Sequence, residues 1–432
     1  MIDKLPPSAD GPVGQLPPQD WMQAAETRVV IAALTAEGAE VRFVGGCVRD
    51  ALLHRPIRDI DIATHDPPER VMTLLERAGL RAIPTGIAHG TVTAVVHKAH
   101  FEITTLRCDV ETFGRHARVE FTSDWAADAA RRDFTINAMF CGPDGMIFDP
   151  FDGLADLGAG RVRFVGDPMQ RIEEDVLRLL RFFRFYAHYG RPPPDTAALA
   201  ACRAQAHKLP TLSGERVCGE IMKLMQAPDP ASVLLLMQGE RVLAEVLPEA
   251  RAFGRLRILA FLEERGVVRP HIAPDPLRRL AAVLDVDRDA AAAVAARLKL
   301  SNAQTHRLVA MAAPERMPDP TMDAPAARRA LHRIGAERFR DLVLLAWAER
   351  KAATGRTPPG ETERWNVLLD HADAWAPVNL PVHGRDVMAL GLPRGPKIGT
   401  VLDEIHRWWE DGDYRAGRKE ALERLRELVA RD

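Results

Sequence analysis

Two aspartates one residue apart, in Arg58-Asp59-Ile60-Asp61, have the type and spacing to do chemistry. Side chains on a strand alternate between faces, so a D-x-D pair puts both carboxylates on one side. Two oxygen ligands at that separation suit Mg²⁺, which completes its octahedron with waters and substrate phosphates. Glu102, in Phe101-Glu102-Ile103-Thr104, is the candidate third acid, on a neighbouring strand. A D-x-D alone also occurs at solvated strand ends, so the residues upstream matter. Gly45-Gly46-Cys47-Val48-Arg49-Asp50 places two glycines between a strand and a helix. Backbone N–H groups there point at an anion, and Arg49 adds charge-assisted hydrogen bonds. A phosphate cradle beside a carboxylate pair is the apparatus of phosphoryl transfer.

These residues need a sheet to hold them. Segments 41–46 and 59–64 read as short strands, and 91–97 and 101–106 as a strand pair. Segment 140–148 carries Pro143-Asp144-Gly145 at its centre, a hairpin signal. With a helix at 27–39, this predicts an αβ domain of about five strands over 27–165. Beyond it the strand signals stop. Ile172, Val176, Leu179, Leu180 and Phe183 predict a helix over 170–188. Further helices are expected at 231–247, 277–285, 288–299, 326–334, 337–353, 362–374 and 398–410. Asp195 and Ser213 sit where helix N-caps belong. Proline-rich breaks fall at 191–194, 228–230, 274–276 and 358–360. The first 20 residues hold five prolines and are expected to be disordered, as part of a tail over 1–26.

Several long segments, in order, resemble the class II tRNA CCA-adding nucleotidyltransferase and bacterial poly(A) polymerase family. They are GGCVRDALLHRPIRDIDIAT, TGIAHGTVTAV, FEITTLR, ARRDFTINAM, EEDVLRLLRFFRF and LSGERVCGEIMKLM. GRDVMALGLPRGPKIGTVLDEI resembles a C-terminal segment of bacterial members. The resemblance implies an α+β fold: a beta-type nucleotidyltransferase head with a mixed sheet, then all-helical neck, body and tail. On this chain those parts would span 27–165, 166–230, 231–375 and 376–432. It also implies a Mg²⁺-dependent enzyme that extends the tRNA 3′ end from CTP and ATP and releases pyrophosphate. Asp59 and Asp61 would hold the metal, and Gly46, Arg49 and Arg132 would contact the triphosphate. Asp133 would order the site. Residues 109–124, with Gly114-Arg115, resemble a mobile loop near the family's active site.

Glu174-Asp175-Val176-Leu177-Arg178 is informative about base choice. On a helix Asp175 and Arg178 are i and i+3, hence neighbours, and a plain intrahelical ion pair is one reading. The other uses base edges. Cytosine and adenine each show an amino donor beside a ring-nitrogen acceptor, which a carboxylate and a guanidinium match. Uracil and guanine reverse the pattern, leaving polar groups unpaired. The family assigns this role to the motif, which also includes Arg181 and Arg184. Arg184 lies halfway round the helix from Asp175 and roughly 13 Å along it, which weakens its link to the nucleotide. In the tail, Arg394 and Lys397 in Leu392-Pro393-Arg394-Gly395-Pro396-Lys397 open a helix and are candidates for an RNA phosphate.

Composition sets outer limits. The 432 residues, 47% apolar and 27% charged, make a folded multidomain chain. No run approaches the roughly 18–20 apolar residues of a membrane span. The five cysteines form no C-x-x-C pair, against a zinc ribbon or disulfide framework. A cytoplasmic protein without a membrane or obligate protein partner is expected. His65-Asp66 stands without the further pattern of a metal phosphohydrolase, so no such domain is expected. A net charge of −2 excludes a uniformly basic RNA binder. It hides a polarity: residues 161–216 carry 10 Lys/Arg against 6 Asp/Glu, and 328–356 carry 8 against 3. Residues 1–26 and the head are each at −3. Two basic helical regions thus offset an acidic head, a pattern suited to tRNA. A poly(A) polymerase, an A-adding or CC-adding specialist, and a non-catalytic RNA-binding protein are the alternatives.

Overall fold

The computed structural model describes residues 3–4, 11–113, 116–264, 268–356 and 358–430. They form two compact units, Met1–Pro248 and Glu249–Asp432. No helix among the described residues is long and apolar enough to cross a membrane.

The first unit is built on a mixed sheet. Its strands are β1 (Asp3–Lys4), β2 (Gly14–Gln15), β3 (Val41–Val44), β4 (Ile60–Thr64), β5 (Arg81–Gly86), β6 (Thr91–Val96) and β7 (Ala99–Thr105). A separate ribbon pairs β8 (Arg107–Phe113) with β9 (His116–Phe121), and β10 (Phe140–Cys141) and β11 (Met146–Phe148) return to the main sheet. The order is β1-β2-β11-β10-β3-β4-β7-β6-β5. Only β4 and β7 run parallel. The expected five strands are therefore eight between Gly14 and Phe148, with β1 added at one edge. The undercount has physical causes. Two-residue strands show no periodicity, and β5 contains Pro84, which an edge strand tolerates. By contrast β6 alternates strictly, with Val92, Ala94 and Val96 buried.

Helix Pro68–Arg77 buries Val71, Leu74 and Leu75 at i, i+3 and i+4 and packs on β5 and β6. Helix Ala25–Thr35 packs against it. The expected disorder of residues 1–26 does not hold across 11–26. Leu16 is buried, β2 joins the sheet, and the Trp21 ring meets Phe43 edge-on at 4.8 Å. Residues 109–124 are likewise not a plain loop, because most of them lie in the β8–β9 ribbon. Gly114 and Arg115 fall outside the described residues.

The expected helix over 170–188 is two helices, Pro168–Glu174 and Leu177–Tyr189, broken where Asp175 turns extended (φ −151°, ψ 107°). The second helix is welded to the sheet domain by aromatic rings. Phe134 meets Phe164 at 4.9 Å and Phe185 at 5.0 Å, and Phe164 stacks on Phe182 at 5.9 Å. Such pairs each contribute about 0.5–1.5 kcal/mol beyond their buried area. Helix Gly214–Met225 packs along Leu177–Tyr189. Asp195 caps its helix by accepting from Ala198 N at 2.8 Å, and Ser213 takes the N-cap position of Gly214–Met225. The segment expected as one helix over 231–247 is divided at Arg241, whose φ is +60°.

The second unit is helical. Pro230, in the first unit, and Pro276 each open a helix at its first residue, as proline's fixed φ favours. Four helices here, Phe253–Glu264, Asn302–Ala312, Gly384–Ala389 and Arg418–Val429, lie outside the expected segments. Phe253–Glu264 buries Leu256, Leu259, Leu262 and the charged Glu263, so its core positions do not form one apolar stripe.

Candidate active site

Asp61 lies on β4, and Asp59 sits one residue before that strand begins. The parallel register sets Glu102 of β7 directly beside Asp61. Asp59 and Glu102 are exposed, and Asp61 is half-buried. Burial, then the charge of Glu102, push the Asp61 carboxyl up to about 6, with Arg132 opposing and Asp59 adding to the rise. Crowded carboxylates of this kind are relieved by a cation. Among the described residues no three His, Cys, Asp or Glu side chains close around a metal site. The arrangement is an open carboxylate pair, which fits Mg²⁺ completed by waters and phosphates better than an all-protein cage. Glu102 stands here as the electrostatic neighbour of Asp61.

The glycine turn borders this pair. Gly45 has φ +73°, where only glycine is unstrained. A Cβ at Gly45 would lie 3.8 Å from Arg132 Nη1 and 3.9 Å from Asp61 Oδ2. Gly45, Asp61 and Arg132 therefore enclose one small space. Arg132 is aimed by Asp128, which accepts from its Nε at 3.2 Å and Nη2 at 2.8 Å, so Nη1 faces Gly45. Burial alone would raise the Asp128 carboxyl, but Arg132 and Arg131 outweigh it and hold it low.

Gly46 opens helix Gly46–Leu52, and a Cβ there would lie 3.7 Å from Arg49 Nη2. Arg49 is buried and tightly held. It donates to Asn137 Oδ1 at 2.6 Å and to both Asp50 oxygens at 3.0 Å, and lies 4.2 Å over the Tyr189 ring. Tyr189 in turn donates to Asp50 at 2.9 Å. Asp133 accepts from Phe134 N at 2.9 Å, Asn137 Nδ2 at 3.0 Å and Arg181 Nε at 2.7 Å. Burial would raise its carboxyl, yet Arg181 and these donors bring it down to about 2. Arg181 thus ties the helix to the sheet domain.

The i, i+3 reading of Asp175 and Arg178 is corrected by the helix break. Asp175 caps Leu177 N at 3.1 Å and accepts two contacts from Arg216 Nη2, at 3.0 and 2.8 Å. Arg178 pairs with Glu174 at 2.5 Å and donates to the carbonyls of Arg171 (3.0 Å) and Arg131 (3.3 Å). Arg171 donates to the Arg132 carbonyl at 2.7 Å. So the Asp175–Arg178 segment is fastened to the backbone of Arg131 and Arg132. Arg184 points elsewhere, to Glu220 at 2.6 Å. Arg394 and Lys397 are exposed in the second unit, where Pro396 begins helix Pro396–Asp411.

Sequence reasoning assigned no role to Asp128, Asn137, Tyr189, Arg171, Glu174 or Arg216. Asn137, Glu174 and Arg216 stand inside the segments that resemble the family, and Glu174 also has helical spacing to Arg171 and Arg178.

Comparison with known proteins places the chain among relatives. Residues 41–163 match the Poly A polymerase head domain. Residues 194–253 match the probable RNA and SrmB-binding site of polymerase A. The chain is 36% identical over 397 residues to the mitochondrial CCA tRNA nucleotidyltransferase 1 of Danio rerio, covering 89% of this chain and 87% of that protein. It is 35% identical to the human protein of that name, covering 89% and 86%. The Bacillus stearothermophilus CCA-adding enzyme, solved in complex with CTP, superposes with a TM-score of 0.74 at 28% identity, covering 94% of this chain and 97% of that one. With the carboxylate pair, the glycine turn and these relatives in agreement, the chain belongs to the class II family of tRNA CCA-adding nucleotidyltransferases and bacterial poly(A) polymerases.

Proposed function

We propose that this enzyme adds CCA to the 3′ end of tRNA, using CTP and ATP and releasing pyrophosphate. The observation that carries the reading is the approach of Asp61, Gly45 and Arg132 to one another, with Glu102 beside Asp61 in the sheet and the charge of Asp59 acting on it. Asp59 and Asp61 would hold Mg²⁺, which supplies Lewis-acid activation of the RNA 3′-hydroxyl and neutralises the departing pyrophosphate. Arg132, aimed by Asp128, offers Nη1 to the triphosphate. Gly46 keeps the approach to Arg49 open. Asp175 accepts from the exocyclic amine of C or A, and Arg178 donates to the adjacent ring nitrogen. U and G leave both groups unpaired and are rejected. Arg181 acts through Asp133, and Arg184 through Glu220, as positioning residues.

In this reading residues 27–165 are the catalytic head and 166–230 the base-reading neck. Residues 231–375 are the body, and 376–432 are the tail, where Arg394 and Lys397 meet RNA phosphates. The test is incubation with tRNA lacking its 3′ CCA, with CTP and ATP separately and together. Three added nucleotides with both, and none after Asp59→Ala with Asp61→Ala, are expected. A long A tail makes the protein a poly(A) polymerase, and no incorporation makes it a binding protein.

A further inference from the structure

The second unit contains a cavity of about 360 Å³ that has no part in the site above. Helices Asn302–Ala312, Ala324–Ile334 and Ala336–Thr354 contribute to its walls. Met311, Met317, Met322 and Leu342 give it an aliphatic lining. Five arginines also line it, Arg288, Arg316, Arg329, Arg333 and Arg338, against one carboxylate, Glu315.

None of these five has an ion-pair partner among the described residues. Their neighbours do. Arg328 grips both Asp413 oxygens at 2.6 Å, Arg340 pairs with Asp373 at 2.8 Å, and Arg307 bridges Asp275 and Asp341. Arginines on the same helices are thus neutralised when they face away from the cavity and left bare when they face it. Five guanidinium groups against one carboxylate around one hollow raise the local potential for an anion.

Size and chemistry narrow the occupant. A cavity of about 360 Å³ is in the range that holds a small molecule. Guanidinium forks match phosphate oxygens, and their planes stack on bases. Methionine sulfurs are polarisable and make favourable contacts with aromatic rings. We propose that this cavity is a second nucleotide-binding site, with the base against the methionines and the phosphates on Arg329, Arg333 and Arg338. The nucleotide is a free one, distinct from the tRNA phosphates to which the basic stretch 328–356 is already suited. The proposal does not depend on what the head incorporates.

The test uses the full chain labelled with ¹³C at its methionine methyls, with Met311, Met317 and Met322 assigned by Leu substitution. It is titrated with ATP, adenosine, inorganic triphosphate and tRNA in turn. ATP is expected to shift these three resonances saturably, more tightly than adenosine or triphosphate. Arg329→Gln with Arg333→Gln is expected to weaken that response tenfold or more while leaving the thermal melt in place. Shifts with tRNA but not ATP make the cavity part of the tRNA surface and overturn the proposal. Equal response to triphosphate and ATP, no shift with either ATP or tRNA, or shifts that survive the double substitution overturn it.

Discussion

Asp175 is held by Arg216, forty-one positions along the chain, and not by Arg178 on the next helical turn. Both carboxylate oxygens sit within 3.0 Å of one guanidinium nitrogen, while Arg178 is occupied by Glu174. The two proposed base-reading groups therefore have separate anchors. Arg216 fixes the acceptor, and Glu174 with the Arg131 carbonyl fixes the donor.

Replacing Arg216 with Ala frees the Asp175 carboxylate without touching the metal pair. A hydrogen bond to a charged group contributes about 1.5–3 kcal/mol, so KM for CTP and ATP should rise about tenfold or more. UTP incorporation should rise relative to CTP, since a loose carboxylate discriminates less. Arg216→Lys should restore part of the loss. Steady-state kinetics with each nucleotide would measure this, and unchanged KM with intact UTP rejection would refute the anchor.

Asp133 gives an acid-side prediction. Its carboxyl sits at about 2 in the folded chain against an ordinary value of 3.8. The unfolded chain therefore binds a proton first as pH falls, and stability is lost between about pH 4 and 2. The depression is worth about 2 kcal/mol at neutral pH. Asp133→Asn should lower stability at pH 7 by that order and flatten this part of the acid limb. Denaturant melts of both proteins at a series of pH values would check it; parallel curves would contradict it.

Gly45→Ala meets no clash, since its nearest side-chain atoms lie 3.8 and 3.9 Å away. The cost lies in φ +73°, which disfavours a Cβ by roughly 1–2 kcal/mol. We expect a small drop in melting temperature and a larger drop in kcat, because relaxing the turn moves the wall shared by Asp61 and Arg132. A variant with lowered stability and full kcat would separate the turn from the chemistry.

In the second unit, Glu263 is buried between Arg278 and Arg279, at 2.7 and 2.5 Å. Asp341 takes Arg278 from another side at 2.8 Å. Removing one member of a buried ionic group strands the rest, at a cost of about 3–5 kcal/mol. Glu263→Ala should therefore unfold this unit at markedly lower urea than wild type. A shift under about 1 kcal/mol, several-fold smaller than that expectation, would show that water reaches the arginines.

Much of the site was legible as sequence because its signals are local. The D-x-D pair, the paired glycines and the alternation of 91–96 depend on neighbours within a few residues. Glu102 needed only an adjacent strand, and the register of β4 with β7 supplies it. The break at Asp175 was not legible. Ile172, Val176 and Leu179 keep apolar helical spacing straight through it, so periodicity cannot register a backbone turn between them. Nor could spacing pair Asp175 with Arg216, forty-one positions away, a contact that arises from packing. The i, i+4 spacing of Asp128 and Arg132 was a local signal left unread. The hairpin expected over 140–148 is formed by β10 and β11, whereas strand 14–15 was missed because pairing in the sheet, not pattern, makes it a strand.

Arg132 is gripped at both ends. Its carbonyl is taken by Arg171, from the helix preceding Asp175, and its side chain reaches Gly45 beside Asp61. On the proposed function, the length of one arginine would set the distance between the base end and the phosphate end of the nucleotide pocket. A pyrimidine and a purine differ in breadth but not in triphosphate length. A pocket gauged this way keeps the reacting phosphate at one depth for either base, and any allowance for the larger base must come from the side of the pocket opposite this arginine.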